Sequence, residues 1–66
     1  MPYDSNEDLP EKVSGVLPEH AQDIFREAFN NAYHQYGRDE KQAFEVAWAA
    51  VKSQYKKSPE GKWVKK

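Results

Sequence analysis

Cysteine is missing from the 66 residues. That excludes a disulfide scaffold and a thiolate metal site, and it points to a reducing, cytoplasmic setting. Long apolar runs are missing too. No stretch approaches the roughly eighteen apolar residues that a bilayer span needs, so the chain is not expected to be transmembrane. The opening residues, MPYDSNEDL, are acidic and lack an apolar centre, so no secretory signal is expected there. Histidine occurs only as His20 and His34. On one helix these would stand roughly 21 Å apart along the axis, too far to share a metal. Ser5, Ser14, Ser53 and Ser58 have no histidine and carboxylate near them in a recognised nucleophile arrangement. No loop supplies the six to eight oxygens, approximately, of a tight calcium site. The expectation is therefore a protein without cofactor, metal or catalytic activity.

Net charge is also nearly absent, at -1. That argues against a general nucleic-acid binder. The charges are nonetheless segregated. Residues 1–27 hold seven acids against Lys12 and Arg26, and residues 28–66 hold eight bases against four acids. The molecule is acidic at its start and basic at its end.

The length allows one domain, taken as residues 1–66. Ordering so short a chain costs on the order of 100 kcal/mol. Nearly every large apolar residue must then help to fill the core. Three helices are expected. The first is short, Pro10 to Leu17, with Leu9, Val13, Val16 and Leu17 on one face. Proline suits its first turn, and Gly15 weakens it. The second runs from Pro18 or Glu19 to Tyr36. Its apolar residues Ala21, Ile24, Phe25, Ala28, Phe29, Ala32, Tyr33 and Tyr36 recur at helical period. Gly37 follows as a left-handed stop.

The third helix opens at Asp39, with Gln42 at capping-box spacing. Phe44, Ala47, Trp48, Val51 and Tyr55 form its main stripe, flanked by Ala43, Val46 and Ala50. Lys52, Lys56 and Lys57 come late, where the helix dipole favours cations. Ser58-Pro59-Glu60-Gly61 then reads as a turn. A shift of nineteen residues lays Phe25 on Phe44, Phe29 on Trp48 and Tyr36 on Tyr55. Two amphipathic helices with the same task explain that echo. The short Gly37-Arg38 connection makes them antiparallel neighbours.

The predicted fold is thus mainly α: two long antiparallel helices, one short N-terminal helix and a tiny β pairing of the two termini. Tyr3 and Trp63 would close the helical layer from its ends; frayed tails are the alternative. The expected core is Ile24, Phe25, Phe29, Tyr33, Phe44, Trp48, Val51 and Tyr55.

An ordered set of short pieces resembles the ChaB family of bacterial cation transport regulators. The pieces are Pro2-Tyr3, Asp8-Leu9-Pro10, Val16-Leu17-Pro18 and His20 to Phe25. Further on come Glu27 to Asn30, Ala47 to Lys52, and Trp63 in the lysine-rich ending. The likeness covers essentially the whole chain. One departure is Gly37 to Gln42, where family members can carry a longer charged insertion. The resemblance implies a compact helical fold with a small strand element. It also implies a non-enzymatic regulatory or adaptor role, with a cation/proton antiporter of the membrane as protein partner. ChaB-like domains are further similar to modules found beside nucleic-acid-binding segments.

The candidate binding surface is the basic end: Lys52, Lys56, Lys57, Lys62, Trp63, Lys65 and Lys66. Lysines interleaved with aromatics suit phosphate contacts and base stacking, so weak nucleic-acid binding is the alternative function. They suit an anionic membrane surface equally, and a solubilising tail is the plainer reading. Two other surfaces are polar. Glu19, Asp23 and Glu27 share a side of the second helix, as either a cation-attracting patch or a solvated face. The acidic N-terminal half, or the pair Asn30 and Asn31 on the second helix, offers contacts to a protein partner, with ordinary surface as the plainer reading.

Overall fold

A computed structural model describes residues 3–66, so Pro2 of the family-like opening lies outside the described residues. A 3-10 turn, Asn6–Asp8, leads into α1 (Glu11–Ser14), α2 (Glu19–Gln35) and α3 (Glu40–Gln54). Two short strands follow, β1 (Tyr55–Lys57) and β2 (Trp63–Lys65). The two long helices and the short N-terminal one stand as expected.

The helix boundaries have local causes. Pro18 is extended and caps α2, and its carbonyl accepts from the Gln22 amide at 2.9 Å. At the other end Gly37 takes φ 68°, and Arg38 follows at φ 69°. The Arg38 amide then donates to the Tyr33 carbonyl at 2.7 Å, the long bond of a Schellman stop. The Asp39 carboxylate accepts from the Gln42 amide at 3.2 Å and starts α3.

The core lies between α2 and α3. Phe25 and Phe29 are fully buried, as are Ala21 and Ala32 from the same helix. From α3 the buried residues are Ala43, Ala47 and Val51, spaced by four. The centre of the α3 stripe is therefore alanine and valine. Phe44 and Trp48, expected there, are half-buried at its edges. The reason is space. The rings of Phe25 and Phe29 fill the middle, and small residues opposite let the helices approach. The displaced rings pack edge-on instead. Phe44 sits 5.6 Å from Phe25 and 5.2 Å from Phe29, and Trp48 sits 5.2 Å from Phe25. Ile24 and Tyr33 are likewise half-buried against this cluster.

Leu9, Val13 and Leu17 close one side of the core. Val16 does not join them. The helix α1 stops at Ser14, and Val16 turns outward with 44% of its surface exposed. Tyr36, at the end of the α2 stripe, is 45% exposed because the backbone leaves helical geometry there. Its counterpart Tyr55 is buried.

The small antiparallel pairing is present, and both of its strands come from the C-terminal end. Tyr55 stands opposite Lys65, Lys56 opposite Val64 and Lys57 opposite Trp63. Lys56 and Lys57 therefore lie in β1, beyond the last turn of α3 where the sequence pattern put them. The backbone gives the reason. A helix continued to Ser58 would run into Pro59, whose ring disfavours helical geometry before it. The hairpin instead gives these residues partners. The Ser58 amide donates to the Lys62 carbonyl at 2.6 Å, and the Lys66 amide to the Gln54 carbonyl at 3.0 Å. Gly61 adopts φ 87° in the connecting turn.

Two outcomes test this packing. Phe25→Ala should cost about 3–5 kcal/mol in urea unfolding, close to the whole stability of so small a domain. Gly37→Ala should cost about 1–2 kcal/mol, because a Cβ is strained at left-handed φ. A calorimetric Tm for that variant should fall by about 4–8 °C per kcal/mol.

Candidate functional site

Three elements meet over the two tryptophans. Trp48 comes from α3, its ring 5.2 Å from Phe25 and nearly perpendicular to it, at 75°. Trp63 opens β2 and lies on Trp48, with ring centroids 5.5 Å apart and planes tilted by 32°. The hairpin brings them together, since Lys57 and Trp63 are cross-strand partners close to where α3 ends. A groove of about 410 Å³ opens above them. Its lining is Trp48, Trp63, Val16 and Gly61, with Lys12, Lys52 and Lys57 around it.

Each lysine arrives by a different route. Lys52 is one helical turn beyond Trp48, on the same face of α3. Lys57 shares a face of the hairpin with its partner Trp63. Lys12 reaches in from α1, its ammonium 5.4 Å from the centre of the Phe44 ring. That is cation–π distance, so the ring helps to hold Lys12 beside the groove. The lining is cationic and aromatic, and it includes no carboxylate.

The basic surface expected from the sequence is therefore divided. Lys52, Lys57 and Trp63 enter the groove. Lys56 is opposite Val64, on the other face of the hairpin. Lys62 is in the turn, where its amide donates to the Ser58 hydroxyl at 3.2 Å. Lys65 stands opposite Tyr55 at the far end of the ladder, and Lys66 continues past it. Sequence reasoning missed Lys12 and Val16, and it placed Trp48 only in the core. Charge and spacing carry no signal for that set, because it forms only when the hairpin folds back onto α3.

The polar side of α2 has a different use from the one expected. The Asn30 side-chain amide brackets Tyr3: its Nδ2 donates to the Tyr3 carbonyl and its Oδ1 accepts from the Tyr3 amide, each at 2.8 Å. The Tyr3 ring then packs 4.8 Å from Phe29. Further back on α2, Asp23 accepts from the Asn6 Nδ2 at 2.7 Å, and Arg26 Nε donates to the Asn6 Oδ1 at 2.9 Å. Gln22 Nε2 donates to the Ser14 and Leu17 carbonyls, which α1 leaves without helical partners. Asn30 and Asp23 thus hold the N-terminal segment in place, and Glu27 stays exposed. Burial raises the Tyr3 phenol above its ordinary value, and the Glu40 carboxylate adds to the effect. A phenol raised on folding stabilises below its unfolded pKa of about 10, and that contribution is lost as pH climbs through the folded value.

The histidines are separated. His20 meets the Tyr55 ring edge-on at 6.2 Å, and His34 meets Tyr33 at 6.1 Å. Among the described residues no group of three or more His, Asp or Glu side chains could hold a metal ion.

With this geometry in hand, the comparisons with known proteins are uniform. The family model described as ChaB matches residues 9–66. The proteins named "Putative cation transport regulator ChaB" in Escherichia coli strain K12 and Shigella flexneri are each 53% identical over 75 residues. Each match covers 100% of this chain and 99% of the relative. The 75 residues exceed the 66 here, so those relatives carry residues that this chain omits. The NMR solution structure of a ChaB protein superposes with a TM-score of 0.87 at 51% identity, covering 98% of this chain and 99% of that one.

Asn30→Ala removes both bonds to Tyr3 and should cost about 1–2 kcal/mol in denaturant unfolding. The Tyr3 ring resonances should then titrate nearer a pH of about 10 than in the parent, as followed by NMR.

Proposed function

This chain belongs to the ChaB family, and on that premise we propose that it is a small non-enzymatic regulatory protein linked to cation transport. It acts by binding a protein partner, and the partner is the cytoplasmic face of a cation/proton antiporter. The observation that carries this reading is the identity of 53% over the full chain to proteins named as cation transport regulators. The groove supports a binding role. Lysine and tryptophan side chains grip a surface, and none of the lysines lining this groove has a carboxylate or imidazole beside it there to shuttle a proton. No helix among the described residues is long and apolar enough to cross a membrane, which fits a partner that supplies the membrane-spanning part.

The alternative of a nucleic-acid surface has less support. Lys56 and Lys57 point to opposite faces of the hairpin, so the lysine-rich end does not form one continuous track for a phosphate backbone.

The test is capture in the cell. The tagged chain, expressed at native level and cross-linked in place, should recover an antiporter subunit above an untagged control by mass spectrometry. Recovery of no protein above that control overturns the reading. Labelled duplex and single-stranded DNA should bind weakly, and the affinity should fade between low salt and about 0.2 M. Tight binding to DNA at that salt would favour the alternative instead.

A further inference from the structure

We propose that the Trp48–Trp63 groove docks an acidic segment of a partner protein, one that carries a large apolar side chain between carboxylates. The proposal rests on the protein-binding reading above, and it specifies where the partner binds and by what chemistry.

The apolar part comes from the floor. A chain of this length normally buries its largest rings, yet both tryptophans are only half-buried. Trp63 packs on Trp48, with Val16 44% exposed beside them. Three large apolar side chains, from α3, from β2 and from the turn after α1, thus leave surface unburied around one opening. A volume of about 410 Å³ has room for a large side chain and its neighbours.

The acidic part comes from the charges around that floor. Lys12, Lys52 and Lys57 converge there from α1, α3 and β1 with no lining carboxylate. Cations gathered over low-dielectric rings attract anions more strongly than the same cations spread on the surface. Three cations around one apolar floor are complementary to carboxylates on both sides of an apolar anchor. Lys12 is already steadied by Phe44, so less freedom is lost when it pairs.

Other occupants fit less well. Nucleic acid needs a track, and the remaining lysines, Lys56, Lys62, Lys65 and Lys66, do not line the groove. A second copy would have to offer its own acidic N-terminal segment. The anchors of that segment are already used: Tyr3 on Phe29, and Leu9 in the core.

The test uses an acetylated, amidated hexapeptide of two glutamates, one leucine, one phenylalanine and two aspartates. It is titrated into the full, isotopically labelled chain and followed by NMR. We expect saturable shifts of the Trp48 and Trp63 indole N–H signals and of the Lys12, Lys52 and Lys57 amides. The Kd should be on the order of 1 mM or below. Lys52→Glu with Lys57→Glu should weaken binding by about tenfold or more. Lys56→Glu with Lys66→Glu makes the same charge change away from the groove and should leave it nearly unaltered. All four positions are exposed, so both variants should keep the fold.

Several results would overturn the proposal. One is the absence of saturable indole shifts at millimolar peptide. Another is equal binding by a peptide with alanine in place of the leucine and phenylalanine. Equal loss in the two double variants would assign the effect to net charge alone. Duplex DNA producing stronger shifts of the same signals would give the groove to nucleic acid. Indole shifts that follow protein concentration without peptide would give it to a second copy. The two readings fail separately. If the Lys52→Glu, Lys57→Glu chain still captures its partner from cells as the parent does, the groove assignment falls and the regulatory role stands. If peptide fills the groove but cells yield no partner, the regulatory role falls alone.

Discussion

The fold depends on two phenylalanine rings set opposite small side chains. Phe25 and Phe29 have no exposed surface, and Ala43, Ala47 and Val51 are equally buried on the facing helix. Backbones separated by alanine can come close, and the rings then fill the space between them. That arrangement leaves no central room for the bulkier residues of α3. Phe44 and Trp48 pack at the margins, edge-on to Phe25. The partial exposure of Trp48 is thus a consequence of how the core is filled. A surface that can bind something arises from the same constraint that makes the helices fit.

A second set of contacts fixes the periphery without apolar area. Asn30, Arg26 and Asp23 follow one another at helical spacing on the polar side of α2. They bind Tyr3 and Asn6 through short, directional bonds. This lays the acidic N-terminal segment along α2 and seats Tyr3 on Phe29. One result is electrostatic. The acids of the first residues run along α2, while Lys12, Lys52 and Lys57 gather over the tryptophans. Lys12 leaves the acidic half of the sequence to join Lys52 and Lys57 around the groove, whose lining holds no carboxylate.

The helices were legible because their signals are local. The stripe from Ala21 to Tyr33, the stop at Gly37 and the cap at Asp39 each lie within a few residues of the boundary they set. The centre of the α3 stripe was less legible. Periodicity treats Ala43 and Phe44 as near neighbours on one face, and only the volume already taken by Phe25 and Phe29 decides which is central. The hairpin was harder still. Tyr55 to Lys57 continues the helical pattern in both charge and apolar spacing. What redirects it is Pro59, acting several residues later, and the bonds of Ser58 and Lys66 that only the folded turn provides. The groove inherits that difficulty. Lys12 and Lys57 are 45 positions apart in the chain, and no local rule pairs them.

The packing of Trp63 on Trp48 joins these levels. A hairpin with strands of three residues is marginal alone and needs a packed face to persist. Tyr55 provides one anchor by entering the core, and Trp63 provides the other by covering Trp48. Lys57 is then kept on the same face of the hairpin, because it is paired in register with Trp63. Lys52 is equally constrained, one turn beyond Trp48 on a helix fixed by its buried alanines. The backbone positions that carry the cations are therefore set by the contacts that close the fold. A flexible lysine tail would have to order its backbone on meeting an anion, at a cost of about 1–2 kcal/mol for each residue. Here much of the backbone ordering is complete before any partner arrives. That difference separates a built surface from a merely basic one.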